Sequence, residues 1–312
     1  MTKKNFQKFS LLGAGIDASL SPIVHDFIFK RDSIDASYGI LDIPESLINT
    51  EFIARIASEY RGFNVTIPYK RTIHALLENR SGIANLTGCV NTVDIRTESC
   101  LVGHNTDITG IEKGFLNPLS KKMLLPSKMV LLGGGGAARS MIYAFLNAHR
   151  NIKSENTREI IVFLRNPLKG RDLEELSFSI LNSPGFNKYE ALLRVYRWDD
   201  EKITNELRYG GIIVNATPRG SVSCDEKQSF DFEKNRIDGD GIAAFDMVYN
   251  PCETPFLESA ASVNAVCIGG LGMLVYQALA SLEIWFQREF SDRGIFDDLL
   301  SKGFHWFKYN ID

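Results

Sequence analysis

The stretch GFNVTIPYK, Gly62 to Lys70, sets an amide (Asn64), a hydroxyl (Thr66) and an ammonium (Lys70) close together in the chain. A lysine in that company can donate a proton to a ligand oxygen or hold negative charge developing there, while the amide and hydroxyl bond a polar ligand. A carboxylate able to face it, Asp107, lies in GHNTDITG, and GCVNTVDI adds the amide of Asn91. Upstream, Ser19 and Ser21 stand at the start of a helix, where hydroxyls, free N–H groups and the helix dipole suit a carboxylate ligand. Near the other end of the chain, Gln277 sits among Tyr276, Ala278 and Leu279; a buried amide needs partners, and a ligand can supply them. A second chemistry is written in GGGGAARS, Gly133 to Ser140. Glycines ahead of a helix let the backbone approach a pyrophosphate and present N–H groups to it. Each residue also has an ordinary reading: Ser21 and Asp107 as caps, the Asn-Thr pairs as turn residues, Lys70 as a solvated side chain. Their gathering at strand ends of an α/β sheet, where ligands bind, favours a site.

The elements that must position these residues follow from periodicity. Phe63, Val65 and Ile67 alternate with Asn64 and Thr66, which predicts a strand with two different faces, stopped by Pro68, and then a helix over Tyr69 to Glu78. Phe9 to Leu12 and Tyr38 to Ile43 predict earlier strands, with Ser21 as N-cap and Pro22 at N1 of the helix between them. Gly13-Ala14-Gly15 is not read as a dinucleotide turn, because IDASLSP follows instead of a helix opening on a third glycine. Two short strands lie in Gly88 to Ile95 and Cys100 to Val102. Lys128 to Leu132 forms a strand before the glycines, and Ala137 to Ala148 a helix after them. Ile160 to Leu164, Leu192 to Tyr196, Gly211 to Val214, Ala243 to Met247 and Ala265 to Ile268 are further strands, and strands spaced by helices make a parallel doubly wound sheet. After the strand ending at Leu164 come Arg165, Lys169 and Arg171, with no acid before Asp172. At that place an arginine accommodates a 2′-phosphate and an acid a free 2′-hydroxyl, so the pattern favours NADP over NAD. HRNIKSENTRE, 149–159, reads as a surface insertion. Gly269 to Phe286 reads as a buried apolar helix, and the aromatic tail from Ile295 is expected to pack on the first domain.

The totals bound the rest. The chain has 312 residues, 44% hydrophobic and 23% charged, a globular composition long enough for about two domains. A net charge of -3 without long charged runs argues against a nucleic-acid or membrane-surface partner. Five scattered cysteines without a CxxC pair fit buried thiols in a reducing cytoplasm, and no signal peptide or membrane-spanning run is read. The five histidines show no paired metal-ligand spacing, so no metal is expected.

Assembled in order, SLSP, NVTIPYK, VNT, NTDITG, GGGGAA, NATP, DMVYNP and GMLVYQA resemble the shikimate dehydrogenase family, which includes quinate/shikimate dehydrogenases, from about Leu11 to Phe286. The resemblance implies an α/β chain of two domains. One is a substrate-binding domain from residues 1–106 plus 269–312, and the other a Rossmann-like NAD(P)-binding domain from 107–268. It implies Lys70 and Asp107 as the catalytic pair and Ser19 and Ser21 on the substrate carboxylate. Asn64, Thr66, Asn91, Asp107 and Gln277 would hold ring hydroxyls, with Tyr249 nearby. Gly133, Gly134, Gly135, Gly136, Ala137, Arg165, Met247 and Gly270 would bind the cofactor, NADP with NAD as the alternative. The implied reaction is reduction of 3-dehydroshikimate to shikimate, in aromatic amino-acid and chorismate biosynthesis, by a cytoplasmic monomer or homodimer. Two places depart from the family pattern: Gly15 and Ala18 stand where a Pro and a His are usual, and Leu164-Arg165-Asn166 replaces Asn-Arg-Thr. These keep a quinate dehydrogenase using NAD as a second reading. A ligand-binding paralogue without turnover is a third, and the retained Lys70 and Asp107 speak against it.

Overall fold

The computed structural model describes residues 6–123, 125–150, 157–186 and 190–311. In chain order the strands are β1 (Gln7–Gly13), β2 (Ala36–Asp42), β3 (Gly62–Val65), β4 (Asn79–Arg80), β5 (Thr92–Thr97), β6 (Cys100–His104), β7 (Lys128–Leu132), β8 (Arg158–Leu164), β9 (Ala191–Arg197), β10 (Gly211–Asn215), β11 (Ile242–Asp246), β12 (Val266–Gly269) and β13 (Lys308–Tyr309). The α-helices are α1 (Ser21–Arg31), α2 (Thr50–Glu59), α3 (Lys70–Leu76), α4 (Gly82–Thr87), α5 (Asp107–Ile111), α6 (Asn117–Lys122), α7 (Gly136–His149), α8 (Arg171–Leu181), α9 (Asp200–Leu207), α10 (Pro255–Ser262), α11 (Leu271–Phe286) and α12 (Ile295–Ser301). They form two compact units, one from the described part of Met1–Asp107 with Val275–Phe304, the other from Ile108–Leu274 with the described part of His305–Asp312.

The first unit is built on a six-stranded sheet in the order β2-β1-β3-β5-β6-β4. β1 runs parallel to β2 and β3, whereas β5 is antiparallel to both β3 and β6. β3 lies between β1 and β5 and is buried along its whole length, because both of its faces are covered: Phe63 and Val65 by α2 and α3, Gly62 and Asn64 by Trp285 and Ser281 of α11. Alternation still sorts its side chains. Phe63 and Val65 join a core with Leu12, Tyr69, Ile73 and the α2 residues Phe52 and Ile56, while Asn64 meets other polar groups. The strand ends at Val65, two residues before the expected stop, because Thr66 already closes a turn in which its carbonyl accepts from Tyr69 N at 2.9 Å. β5 likewise begins at Thr92 and not at Gly88, since Gly88 ends α4 at φ 64°, a left-handed conformation that glycine adopts without strain. At α1 the N-cap position is Leu20, without a side-chain cap; Ser21 is the first helical residue and Pro22 the second, a one-residue shift from the expected cap.

The second unit is built on a seven-stranded sheet in the order β13-β12-β11-β10-β7-β8-β9, parallel from β7 to β12. Its core gathers Val130, Leu132, Ile161, Phe163, Ile213 and Ala244 from the central strands against Ile203 of α9 and Phe256, Leu257 and Ala260 of α10. The tail divides differently from the expectation. Residues 295–304 belong to the first unit, but the chain then forms β13, antiparallel to β12, in the second. The physical reason is an open edge: β12 would otherwise present unpaired backbone groups. Gly269 N donates to Phe307 O at 2.9 Å, and the Trp306 indole N–H donates to Gly269 O at 3.1 Å. Trp306 fits only because residue 272 is glycine, where a Cβ would stand 2.2 Å from the ring. Most of the stretch 149–159 lies outside the described residues. Among the described residues no helix is long and apolar enough to cross a membrane.

Candidate active site

Lys70 is the first residue of α3 and Asp107 the first of α5, so two separate turns each deliver one charged side chain at a helix start. They meet: Lys70 Nζ donates to Asp107 Oδ2 at 2.6 Å, with side chains only 13% and 4% exposed. The other carboxylate oxygen, Oδ1, accepts from Asn91 Nδ2 at 2.8 Å. The same Nδ2 lies 2.9 Å from Thr106 Oγ1 and 3.4 Å from Gln277 Oε1. Asn91 Oδ1 accepts from Thr106 N at 2.6 Å, which fixes which way round the amide sits. An ammonium, a carboxylate and two amides are thus held in one hydrogen-bonded set.

Asn64 is joined to that set from behind. Its Nδ2 faces Asn91 O at 3.2 Å, Thr92 Oγ1 at 3.0 Å and Ser281 Oγ at 2.8 Å. Its Oδ1 accepts from the Tyr38 hydroxyl at 2.7 Å, a side chain reaching from β2 past β1. Thr66 lies with its methyl against the backbone of Gly13, where a Cβ on residue 13 would stand 2.7 Å from Thr66 Cγ2.

Ser19 and Ser21 form a pair of their own. Ser19 Oγ donates to Ser21 Oγ at 3.2 Å and accepts from Ser21 N at 3.3 Å. The Ser21 carbonyl accepts from His25 Nδ1 at 2.8 Å, and the His25 ring stacks on Tyr38 with centroids 3.8 Å apart. Burial pushes the His25 imidazole down to about 4, against the opposing pull of its bond to Ser21, so it is neutral at physiological pH. The turn before the serines is pinned by Asp42, whose carboxylate accepts from Gly15 N at 3.0 Å and Ile16 N at 3.1 Å. The amides of this glycine turn therefore serve the protein's own carboxylate.

In the second unit the glycine turn follows β7, the strand between β10 and β8. Gly133 has φ +104°, and a Cβ there would stand 3.0 Å from the Ala216 carbonyl oxygen. A Cβ on Gly134 would stand 2.8 Å from Leu164, whereas one on Gly135 would meet nothing within 4 Å. Gly135 is the N-cap of α7, without a side-chain cap, ahead of Gly136 and Ala137 in the first turn. A tight turn that opens outward at an uncapped helix start fits a pyrophosphate. Arg165, at the end of β8, is 78% exposed and pairs with Glu226 at 3.8 Å. Met247 N donates to Asn215 O at 3.0 Å, and Gly270 packs so closely that a Cβ would stand 2.5 Å from Met247 O. Tyr249 lies half-buried in the loop after β11. Behind these loops Asp246 is fully buried and accepts from Asn215 Nδ2 (2.9 Å), Val248 N (3.0 Å) and Thr254 Oγ1 (2.7 Å). Among the described residues no group of His, Cys, Asp and Glu could hold a metal ion.

The chain is similar to known proteins over most of its length. Residues 11–93 match the shikimate dehydrogenase substrate binding domain, and residues 270–291 the shikimate 5′-dehydrogenase C-terminal domain. The NADP(+) shikimate dehydrogenase of Chlorobium phaeovibrioides is 32% identical over 285 residues, 90% of this chain and 91% of its own. The chain belongs to the shikimate dehydrogenase family. A second member, from Pelodictyon phaeoclathratiforme, is 32% identical over 96% of this chain and 98% of its own. Among solved structures, that of Thermus thermophilus shikimate 5-dehydrogenase in complex with NADP(H) and shikimate has a TM-score of 0.70 at 27% identity, covering 95% of this chain and 99% of that one.

Within this family member the structure brings Asn64, Lys70, Asn91, Asp107 and Gln277 into one network and sets Ser19 beside Ser21. The sequence alone does not single out Tyr38, Ser281 or Asp42, and it reads Thr92 and Thr106 as turn residues. Ser281 carried a usable signal: it is one helical turn after Gln277, so both face the same way from α11, and its hydroxyl donates to the Gln277 carbonyl at 2.9 Å. Tyr38 and Asp42 carried none, because a tyrosine in a strand and an aspartate at its end are ordinary residues there.

Proposed function

We propose that this chain is a shikimate dehydrogenase, catalysing the reversible NADPH-dependent reduction of 3-dehydroshikimate to shikimate in aromatic amino-acid biosynthesis. The observation that carries the reading is the Lys70–Asp107 contact at 2.6 Å, with Asn91 bonded to the same carboxylate. NADPH, when bound, supplies the hydride that reaches the ketone carbon. Lys70 Nζ meets the charge that then grows on the ketone oxygen and hands that oxygen its proton; in the reverse direction it takes the proton back. Asp107 fixes the lysine by one oxygen and Asn91 by the other, so the donor is oriented before the reaction begins. Ser19 and Ser21 take the substrate carboxylate, and Asn64, Thr66, Asn91 and Gln277 the ring hydroxyls, with Tyr249 as a further substrate contact. A site that bonds each hydroxyl rejects analogues lacking one, because its own buried groups would go unpaired.

The glycine turn supports the cofactor half of the reading, since its outward-open Gly135 and uncapped helix start fit a pyrophosphate. Gly133 to Ala137 hold the diphosphate, Arg165 the 2′-phosphate, and Met247 and Gly270 the nicotinamide end. The five free cysteines fit a reducing cytoplasm, which cell fractionation reads directly. The deciding experiment is Lys70→Ala assayed by NADPH oxidation with 3-dehydroshikimate. Turnover falls by about 10²–10⁴-fold while the circular dichroism spectrum persists; wild-type-like kcat overturns the assignment. Higher kcat/KM for quinate with NAD than for shikimate with NADP would replace the substrate and cofactor named here.

A further inference from the structure

On the two sides of the second unit's glycine turn, two arginines share one carboxylate of the chain. Arg165 follows β8 and Arg219 follows β10, on either side of β7 and its glycine turn. One carboxylate, that of Glu226, reaches both: Oε1 lies 3.8 Å from Arg165 Nη1, and Oε2 pairs with Arg219 Nε. Neither Arg219 nor Glu226 stands out in the sequence.

Both are built into place. Arg219 is only 22% exposed. Its guanidinium lies 4.8 Å from the centre of the Trp198 ring, which is held by an indole N–H bond to Asp200 at 2.9 Å. Glu226 closes a short loop whose neck is the bond from Gly220 N to Glu226 O, 3.0 Å, with Gly220 at φ +95°. Its backbone is pinned beside Arg219, and only its side chain need turn to release the arginines.

Two guanidinium groups facing one carboxylate retain a net positive charge. A phosphate monoester, carrying about −1.5 to −2, competes for them more strongly than a single carboxylate does. A free ribose 2′-hydroxyl cannot displace the glutamate but can donate to it, and an acid at this place is what a free 2′-hydroxyl requires. We propose that Glu226 and Arg219 are the cofactor-selecting pair of this chain: Glu226 accepts the 2′-hydroxyl of NAD, and it yields Arg165 and Arg219 to the 2′-phosphate of NADP. The acid absent from the end of β8 is thus supplied by a distant loop. The inference rests on the reading of this unit as the cofactor site.

The test measures binding without turnover, by calorimetric titration with adenosine 2′,5′-bisphosphate and with 5′-AMP. Glu226→Gln tightens the bisphosphate by about 3- to 10-fold, the factor expected for removing exposed ion pairs that compete with it, and weakens 5′-AMP. Arg219→Ala weakens the bisphosphate by about tenfold and leaves 5′-AMP within about twofold. Opposite movement of the two affinity ratios supports the pair. Ratios that stay fixed, or that move together in both variants, overturn it. If the ratios respond but the wild type does not oxidise NADPH with 3-dehydroshikimate, the functional reading fails and the pair stands. If turnover is normal and the ratios do not respond, the pair alone fails.

Discussion

Asp107 and Asp246 are both buried carboxylates, one in each unit, and they are satisfied in different ways. Asp107 faces an ammonium and an amide. Asp246 faces neutral donors: an amide, a backbone N–H and a hydroxyl. Burial outweighs those three bonds and pushes Asp246 up to about 7. The partners separate the two groups. In the proposed reaction, the carboxylate that orients a lysine positions a proton donor. A carboxylate bonded only to neutral groups from 215, 248 and 254 ties the loops after β10 and β11 to one another. Both are costly to bury, and burial alone does not mark a catalytic group.

The contrast is largest in turnover. Asp107→Asn loses about 10²–10⁴-fold in kcat, because the lysine loses its charged partner. Asp246→Asn stays within about tenfold, since an amide oxygen can still accept from the Val248 N–H. Initial rates on both purified variants check this, and equal losses would erase the distinction.

Next in size is the dependence of stability on pH. Asp246 releases its proton at about 7 in the folded chain and near its ordinary 3.8 in the unfolded one. Its contribution is therefore constant below about pH 4 and declines as pH rises towards about 7, by roughly 4 kcal/mol in all. Asp246→Asn, neutral throughout, removes that decline. Urea unfolding at intervals across this range reads the slope, and a slope unchanged from wild type contradicts the burial argument.

The smallest effect concerns the backing of the first unit's network. Tyr38→Phe leaves Asn64 Oδ1 without its 2.7 Å donor. The cost is about 1–3 kcal/mol in unfolding free energy at pH 7, read by urea denaturation. A variant as stable as wild type would show that Asn64 is held by its Nδ2 bonds alone.

Much of this was legible in the chain. The inner strands of the second unit's parallel sheet announce themselves, because an apolar run buried on both faces needs no partner to be recognised, whereas β9 at the edge is only partly buried. Lys70, Asn91 and Asp107 were legible because each stands beside a strand end or helix start that local chemistry fixes. The alternation in β3 assigns its side chains to two faces, but their exposure depends on which distant elements cover those faces. The tail was half misread for the same reason: nothing local to Lys308 and Tyr309 says that β12 has an open edge to fill.

The sequence by itself determined the order of elements and the glycine turn, which depend on residues near one another in the chain, and it marked Lys70 and Asp107 each by its own local motif. Only the tertiary structure decided what backs and guards them. Asn64 meets Ser281 across 217 positions and Tyr38 across 26, and Glu226 reaches arginines on two different strand ends. Such contacts form because the sheets close and bury polar groups that must then find partners wherever the fold has placed them.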